Sequence, residues 1–304
     1  MRPPYRHLRR GDLVAVIAPA GPAAPERVAL VPPLFERYGL RARLYPSCHA
    51  RHSLHDFLAG DDDLRLADLH AAFADPAIAA VFCLRGGWGS ARLLDRIDTA
   101  LLRAHPKPFI GFSDITALHA LLAREGGVGI HAPMPGSNLV LEGNDADARA
   151  LFELLMRPLP AGHCFAPTLA ADHWRVPGRA RGVLVGGNLS LVAALLGTPW
   201  AWPAAGTILF LEDVSEALYR VDRLLTQLRL AGVLEGARGF VLGSFTEDAD
   251  PTAVLREHLA GLGKPLLSGW PAGHSIPNRA LPLGAQVTLD THAGCLTLDE
   301  AVLA

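Results

Sequence analysis

Residues 109–124 read FIGFSDITALHALLAR: a short apolar run, a serine, and then a segment with helical spacing. The run 109–112 carries no charge, which is typical of a strand buried on both faces of a parallel sheet. The pattern over 114–124 predicts a helix directly after it. Ser113 therefore lies where a strand ends and a helix begins, a place at which α/β proteins expose reactive groups.

The first half of the chain repeats this alternation of strands and helices. Strands are predicted at 13–18, 41–45 and 78–84, and helical spacing occurs at 62–73 and 89–97. A further helical segment, 26–38, contains Pro32 and Pro33 and should be kinked or broken there. The β-α-β-α order predicts an α/β fold with a largely parallel sheet covered on both faces, which we assign to an N-terminal domain, residues 1–157.

The second half has a different rhythm. Residues 158–181 are rich in Pro, Gly, Ala and His, lack periodicity, and are interpreted as a linker. After it, the second half begins with residues 182–188 (GVLVGGN), and helices are predicted at 189–196 and 216–230, and strands at 207–211, 239–242, 287–289 and 295–298. Because strands outnumber helices, we expect a smaller mixed or barrel-like C-terminal domain, residues 182–304.

Composition excludes several classes of function. Half of the 304 residues are apolar and the net charge is −2, so no basic field attracts nucleic acid or an anionic membrane. No apolar run approaches the roughly 20 residues of a membrane span. The four cysteines lack CxxC spacing, which fits a reduced, cytoplasmic protein. His49, His52 and His55 lack the partners of a zinc enzyme, so we expect no metal and no cofactor.

Ser113 is the first candidate for chemistry. A strand, a turn at Gly111, the serine and a helix resemble a nucleophile elbow, although the second glycine of that pattern is replaced by Ile115. The backbone amide of Asp114, at the helix start, would point to where an oxyanion forms. The alternative is that Ser113 only caps the helix.

The glycine turn, residues 85–90 (RGGWGS), also follows a predicted strand and precedes helical spacing. A dinucleotide fingerprint fails here because Arg92 stands where its third small residue belongs. We favour the amide of Gly87 as a second oxyanion donor, and we expect Trp88 to contact substrate. The alternative is a tight turn that needs glycine for its dihedral angles.

A carboxylate and a histidine complete a possible triad. Glu212 follows an apolar strand, and His274 lies in a Pro/Gly-rich loop. A carboxylate can hold a histidine ring in one tautomer so that the ring activates a serine. The alternatives are an ion pair of Glu212 with Arg220 or Arg223, and a His274 that is only a surface residue. If Ser113, Glu212 and His274 meet, the protein is a serine hydrolase.

Taken together, these segments resemble the LD-carboxypeptidase family of serine peptidases, which includes muramoyltetrapeptide carboxypeptidases and microcin-immunity peptidases. The resemblance spans nearly the whole chain. It rests on Gly11-Asp12, the glycine turn, Gly111-Phe-Ser-Asp-Ile-Thr-Ala-Leu, His131-Ala-Pro-Met, Gly186-Gly-Asn-Leu-Ser-Leu, Leu211-Glu-Asp, Tyr219-Arg-Val-Asp-Arg, Thr226-Gln-Leu, Gly273-His274 and Leu281-Pro-Leu-Gly.

The resemblance implies roles for these residues. Ser113 would be the nucleophile, His274 the general base and then acid, and Glu212 the residue that orients His274, with an oxyanion hole at the amides of Gly87 and Asp114. It also implies a homodimer and a triad formed across the domain interface. The implied reaction removes the terminal D-alanine from a murein tetrapeptide during peptidoglycan recycling.

Two other functions stay open at this stage. A microcin-immunity-like peptidase would cleave aminoacyl or peptidyl nucleotide amides and would need an aromatic ring to stack on the base, for which Trp174 is available. A non-catalytic protein that binds muropeptides would keep the fold without the reaction.

Overall fold

The computed structural model describes residues 3–169, 173–246 and 248–304. The first half of this part contains, in chain order, β1 (Leu13–Ile17), α1 (Pro25–Ala29), α2 (Val31–Arg37), β2 (Arg41–Leu44), α3 (Asp62–Ala74), β3 (Ile78–Cys83), α4 (Thr99–Ala104), β4 (Phe109–Gly111), α5 (Thr116–Arg124), β5 (Gly129–His131) and α6 (Asp145–Leu155).

The second half follows with β6 (Cys164–Phe165), β7 (Arg175–Val176), β8 (Arg179–Asn188), α7 (Leu189–Ala194), β9 (Thr207–Val214), α8 (Leu218–Leu230), α9 (Val233–Gly236), β10 (Gly239–Thr246), α10 (Thr252–Leu259), β11 (Leu266–Leu267), β12 (Leu281–Leu283), β13 (Gln286–Asp290) and β14 (Cys295–Leu298). None of the helices in the described ranges is long and apolar enough to cross a membrane.

The first sheet has the order β12-β5-β4-β3-β1-β2. Its pairings from β5 to β2 are all parallel, and β12 joins the edge in the antiparallel direction. The central strands are almost wholly buried, as a parallel sheet with helices on both faces requires. The predicted α/β architecture with a largely parallel N-terminal sheet is therefore confirmed.

The second sheet has the order β6-β14-β13-β8-β9-β10-β11-β7. Its centre, β8 to β11, is parallel, whereas β13, β14, β6 and β7 pair antiparallel. The predicted mixed character of the C-terminal sheet is thus confirmed. The predicted linker supplies β6, β7 and the start of β8 to this sheet, and its residues 170–172 lie outside the described residues. The domain boundaries at 157 and 182 stay a prediction.

Two predicted helices take a modified form. The segment 26–38 is broken at Leu30 into α1 and α2, and Pro32 falls in the first turn of α2, where no backbone N–H is needed. The expected break is confirmed. Residues 89–97 do not form an α-helix, because Ser90–Arg96 is a 3-10 helix that begins after Gly89 at a φ of 128°.

The two sheets meet where α5 begins and β8 ends. The Asn188 backbone N donates to Thr116 Oγ1 at 3.1 Å. Gly187, at a φ of 129°, lies so close that a Cβ there would be 2.5 Å from the same Thr116 oxygen. Only glycine combines this dihedral angle with this approach.

We therefore expect Gly187→Ala to lower the free energy of unfolding by about 3 kcal/mol or more, from a strained backbone and an overpacked contact. The matched control is Gly232→Ala, since Gly232 has a φ of 73° and a Cβ there would meet no other atom within 4 Å. Gly232→Ala should lower the free energy of unfolding by only about 1–2 kcal/mol. Urea unfolding measures both, and equal losses would contradict the contact as a constraint.

Candidate active site

Ser113 directly follows β4 and Phe112, and it adopts a φ of 64°, the left-handed region that non-glycine residues seldom occupy. The side chain is half-buried at the first turn before α5. A Cβ at Gly86 would lie 2.9 Å from Ser113 Cβ and 3.0 Å from Ser113 Oγ. The glycine turn therefore packs directly on the serine, and position 86 has no room for a side chain.

The structure brings the three predicted residues together. His274 Nε2 lies 3.0 Å from Ser113 Oγ, and His274 Nδ1 lies 2.7 Å from Glu212 Oε2. A carboxylate can only accept, so the ring proton belongs on Nδ1 and Nε2 accepts from the serine hydroxyl. This arrangement can remove the proton of Ser113 and then return it to a leaving group.

Glu212 is completely buried on β9, and its surroundings leave space for little else. A Cβ at Gly273 would lie 2.5 Å from Glu212 Oε2, and one at Gly243 would lie 3.0 Å from Glu212 Cβ. The His274 backbone N also donates to Glu212 Oε2, at 3.2 Å. Because glycine occupies both positions, the His274 loop lies close enough for the ring and the backbone N of His274 to contact the same carboxylate oxygen.

The His274 loop is anchored to the first half of the chain. The Gly273 N donates to Asn278 Oδ1 at 3.0 Å, and the Asn278 N donates to Asp147 Oδ2 at 2.9 Å. Asp147 is a buried residue of α6, and Arg279 lies 3.5 Å from its other oxygen. Thr246 Oγ1 donates to the His274 carbonyl at 2.8 Å. The loop that carries the base is therefore held both by α6 in the first half of the chain and by β10 of the second sheet.

The two predicted oxyanion donors lie on adjacent segments. Gly86, next to Gly87, is also close to the Asp114 amide, since a Cβ at 86 would be 3.4 Å from Asp114 N. Gly87 has a φ of 96° and is exposed. The buried Asp114 carboxylate accepts from the Ser90 backbone N at 2.8 Å, and burial raises the pKa of this carboxyl.

Comparison with known proteins places this arrangement in a family. The LD-carboxypeptidase N-terminal domain matches residues 14–132, and the LD-carboxypeptidase C-terminal domain matches residues 181–289. The chain belongs to the LD-carboxypeptidase family. The predicted resemblance is thus confirmed.

Relatives and solved structures agree with this assignment. The chain is 37% identical to a probable murein peptide carboxypeptidase of Bacillus subtilis, over 97% of this chain and 94% of the relative. It is 35% identical to the murein tetrapeptide carboxypeptidase of Pseudomonas aeruginosa, over 91% and 92%. The wild-type structure of the microcin C7 self-immunity protein MccF superimposes with a TM-score of 0.91 over both whole chains, at 22% identity, a likeness of fold.

In this member of the LD-carboxypeptidase family, the two neighbouring carboxylates after the apolar run of β9 have different partners. Arg220 pairs with Glu216, so it does not pair with the buried Glu212. The neighbouring Asp213 faces other partners: it accepts from Asn188 Nδ2 at 2.7 Å and from the Ser190 N at 2.9 Å. Glu212 therefore contacts His274, whereas Asp213 holds the end of β8 and the first turn of α7.

Two tryptophans were singled out by sequence and differ in exposure. Trp88, in the glycine turn, is 44% exposed, and its contact with substrate stays a prediction. Trp174 is half-buried, and the Arg256 guanidinium lies 5.3 Å from the centre of its ring. One face of Trp174 is therefore occupied by a cation.

The structure also adds residues that sequence analysis missed. Asp147 and Asn278 hold the His274 loop, and Arg65 and Ser90 hold the glycine turn. None belongs to a recognisable motif in the sequence, except that Ser90 closes the glycine turn. Within the described residues, no group of three His, Cys, Asp or Glu side chains is arranged to hold a metal ion.

Two histidines are buried beside the active site and are neutral. His131 packs edge-on against Phe112 and Phe210, with ring centroids 5.6 and 5.0 Å apart, and burial lowers its pKa well below the usual value. His119 on α5 contacts the Gly111 carbonyl through Nε2 at 2.8 Å, and burial lowers its pKa to about 4. Both rings back the strand end that presents Ser113.

This burial makes stability dependent on pH. An unfolded histidine protonates near pH 6.5, whereas folded His119 does so at about 4, so stability falls as the pH drops below 6.5. Between pH 7 and pH 5, His119 should remove about 2 kcal/mol from the free energy of unfolding. His119→Gln should flatten the profile by that amount in urea unfolding, and an unchanged slope would contradict a neutral buried His119.

Proposed function

We propose that the protein is a serine-type LD-carboxypeptidase that releases the terminal D-alanine of murein tetrapeptides by hydrolysing an L,D-amide bond in peptidoglycan recycling. The observation that carries the proposal is the contact of His274 with both Ser113 Oγ, at 3.0 Å, and Glu212 Oε2, at 2.7 Å. The Bacillus and Pseudomonas relatives, named as murein peptide and murein tetrapeptide carboxypeptidases, support the substrate class.

The reaction follows from these positions. Ser113 Oγ attacks the carbonyl of the L-centre while His274 Nε2 takes the hydroxyl proton, and the amides of Gly87 and Asp114 receive the developing oxyanion. Glu212 keeps the ring oriented and stabilises the imidazolium. His274 then protonates the amine of the departing D-alanine. Water, activated by the same nitrogen, hydrolyses the acyl-enzyme and frees Ser113.

The assembly and location of the enzyme are parts of the same proposal. The family resemblance supports a homodimer, which light scattering of the purified protein would test. The four cysteines are free thiols, three of them buried, which supports a reduced, cytoplasmic location. We propose no requirement for a metal or an organic cofactor, because the triad chemistry needs neither.

The microcin-immunity-like alternative is supported by the fold likeness to MccF, one structure of which contains aspartyl sulfamoyl adenosine. Stacking of a base requires a free aromatic face, and Arg256 leaves at most one such face on Trp174. The higher identity to the two murein carboxypeptidases favours the murein peptide. A protein that only binds muropeptides would not need the complete triad.

The nucleophile is tested by mass spectrometry of a diaminopimelate-containing tetrapeptide incubated with the protein. Wild type should remove one alanine, and Ser113→Ala should lower kcat by roughly 10⁴-fold or more, because the acyl-enzyme no longer forms. Glu212→Gln should also lower kcat by orders of magnitude, since the ring loses its charged partner. Equal alanine release by wild type and Ser113→Ala would remove Ser113 from its role.

The carboxylate of the departing D-alanine needs a cation, and Arg85 is suitably placed. It is exposed, precedes the Gly86 that packs on Ser113, and donates to the Pro22 carbonyl at 2.8 Å. No described carboxylate lies within ion-pair distance of Arg85, whereas Arg279 is paired with Asp147. We therefore assign the recognition of the terminal carboxylate to Arg85.

Amidation of the substrate carboxylate tests this assignment. The amide should reduce kcat/KM of wild type by roughly 10- to 100-fold, the value of a charge-assisted hydrogen bond. Arg85→Gln should process acid and amide at nearly equal rates. Arg279→Gln is the control and should keep the preference for the acid. An Arg85→Gln variant that retains the full preference would overturn the assignment.

A further inference from the structure

Catalysis at Ser113 needs two amides that are far apart in sequence. The Gly87 amide belongs to the glycine turn and the Asp114 amide to the start of the helical turn after β4. An oxyanion hole works only if its donors hold a fixed separation before the reaction. The glycine turn is flexible by composition, so other residues must fix it.

One link joins the turn directly to Asp114. The Ser90 backbone N donates to Asp114 Oδ2 at 2.8 Å, and Ser90 Oγ donates to the Asp114 carbonyl at 2.6 Å. Both partners are buried, so neither hydrogen bond competes with solvent. Ser90 therefore ties the end of the glycine turn to the residue that carries the second amide.

A second link comes from beneath the turn. Arg65, on α3, has a side chain with no exposed surface, and its Nη1 donates to the carbonyls of Pro19 and Gly89, the latter at 2.9 Å. Its Nη2 pairs with Asp62. A Cβ at Gly89 would lie 2.7 Å from Nη1, so the glycine turn packs directly against the guanidinium.

The complete burial of this guanidinium is unusual, since arginine side chains are seldom fully buried. A buried charge is expensive unless it is paired and hydrogen-bonded. Asp62 supplies the charge, and it is held from outside by Arg92 through Nε and Nη2 at about 3 Å. The two carbonyls that Arg65 binds belong to the exit of β1 and to the glycine turn.

We propose that Arg65, together with Ser90, is a positioning residue of the oxyanion hole: it fixes the glycine turn through the Gly89 carbonyl so that the amides of Gly87 and Asp114 stay aligned. This inference rests on the proposed serine mechanism and deepens it. The planar guanidinium is suited to the task because its rigid fork of donors binds two carbonyls and a carboxylate at once, whereas a lysine ammonium is a single point charge without such a fork.

The test separates transition-state stabilisation from substrate binding. Arg65→Lys and Ser90→Ala are compared with wild type for kcat, KM and the affinity of a tripeptide aldehyde that ends at the L-centre and forms a tetrahedral adduct with Ser113. Both variants should lower kcat and aldehyde affinity together, by roughly 10- to 100-fold, with KM within about twofold. Urea unfolding confirms that each variant is folded.

Arg92→Met is the matched control, because the exposed Arg92 side chain contacts the same Asp62, while the hydrogen bond from Arg92 to the Gly89 carbonyl is donated by its backbone N, which the substitution keeps. Its kcat should stay within about twofold of wild type. Wild-type kcat in a folded Arg65→Lys, or a loss confined to KM, would overturn the proposal. Should Arg65→Lys fail to fold, Ser90→Ala decides by the same criteria.

The outcome also distinguishes this inference from the proposed function. If wild type releases no D-alanine, the murein substrate is wrong. The positioning role of Arg65 and Ser90 is then tested by the rate at which a fluorophosphonate labels Ser113. A slower labelling of Ser90→Ala and Arg65→Lys, but not of Arg92→Met, would still support the positioning role. Equal labelling of all four proteins would reject it.

Discussion

The junction of the two sheets, where Asn188 N donates to Thr116 Oγ1 at 3.1 Å, is the constraint on which the active site depends. Thr116 lies three residues after Ser113 on the same continuous turn and helix. Asn188 lies opposite Glu212 in the register of β8 and β9. A short path therefore connects the nucleophile to the acid, and the glycine at position 187 allows its closest approach.

The electrostatics of the site depend on the exclusion of water from Glu212 where the two sheets meet. Glu212 has no exposed surface, and no hydrogen-bond partner is found for its Oε1 among the described residues. Both contacts of its Oε2 come from His274. A buried carboxylate with so few donors favours a cation beside it, and the imidazolium formed during acyl transfer supplies one. The environment thus stabilises the imidazolium that His274 forms during acyl transfer.

The elements with strong local patterns could be predicted from sequence. The parallel strands, α3, α5 and α8 follow apolar periodicity, and Ser113, Glu212 and His274 were found because each interrupts a glycine-marked or apolar segment. The helical spacing predicted at 89–97 does not reveal that Ser90–Arg96 is a 3-10 helix, because the same apolar spacing is compatible with an α-helix. Arg65 lies on α3, a helix that the sequence predicts correctly. Its contact with the Pro19 carbonyl could not be predicted, because the two residues are 46 positions apart in the chain. Asp147 and Asn278 are 131 residues apart, and no local pattern reveals such a pairing.

The antiparallel strand β12 has a consequence for the synthesis of the chain. It pairs with β5 through Leu281, Pro282 and Leu283, and so covers the edge of a sheet whose other strands are complete by residue 131. While the ribosome adds the intervening 150 or so residues, that edge has open backbone donors and acceptors, the kind of surface that templates aggregation. A nascent chain halted between these points would carry a finished nucleophile elbow beside an unprotected edge. The first sheet is therefore completed only by the segment that follows the His274 loop, so its last strand is synthesised directly after the last member of the triad.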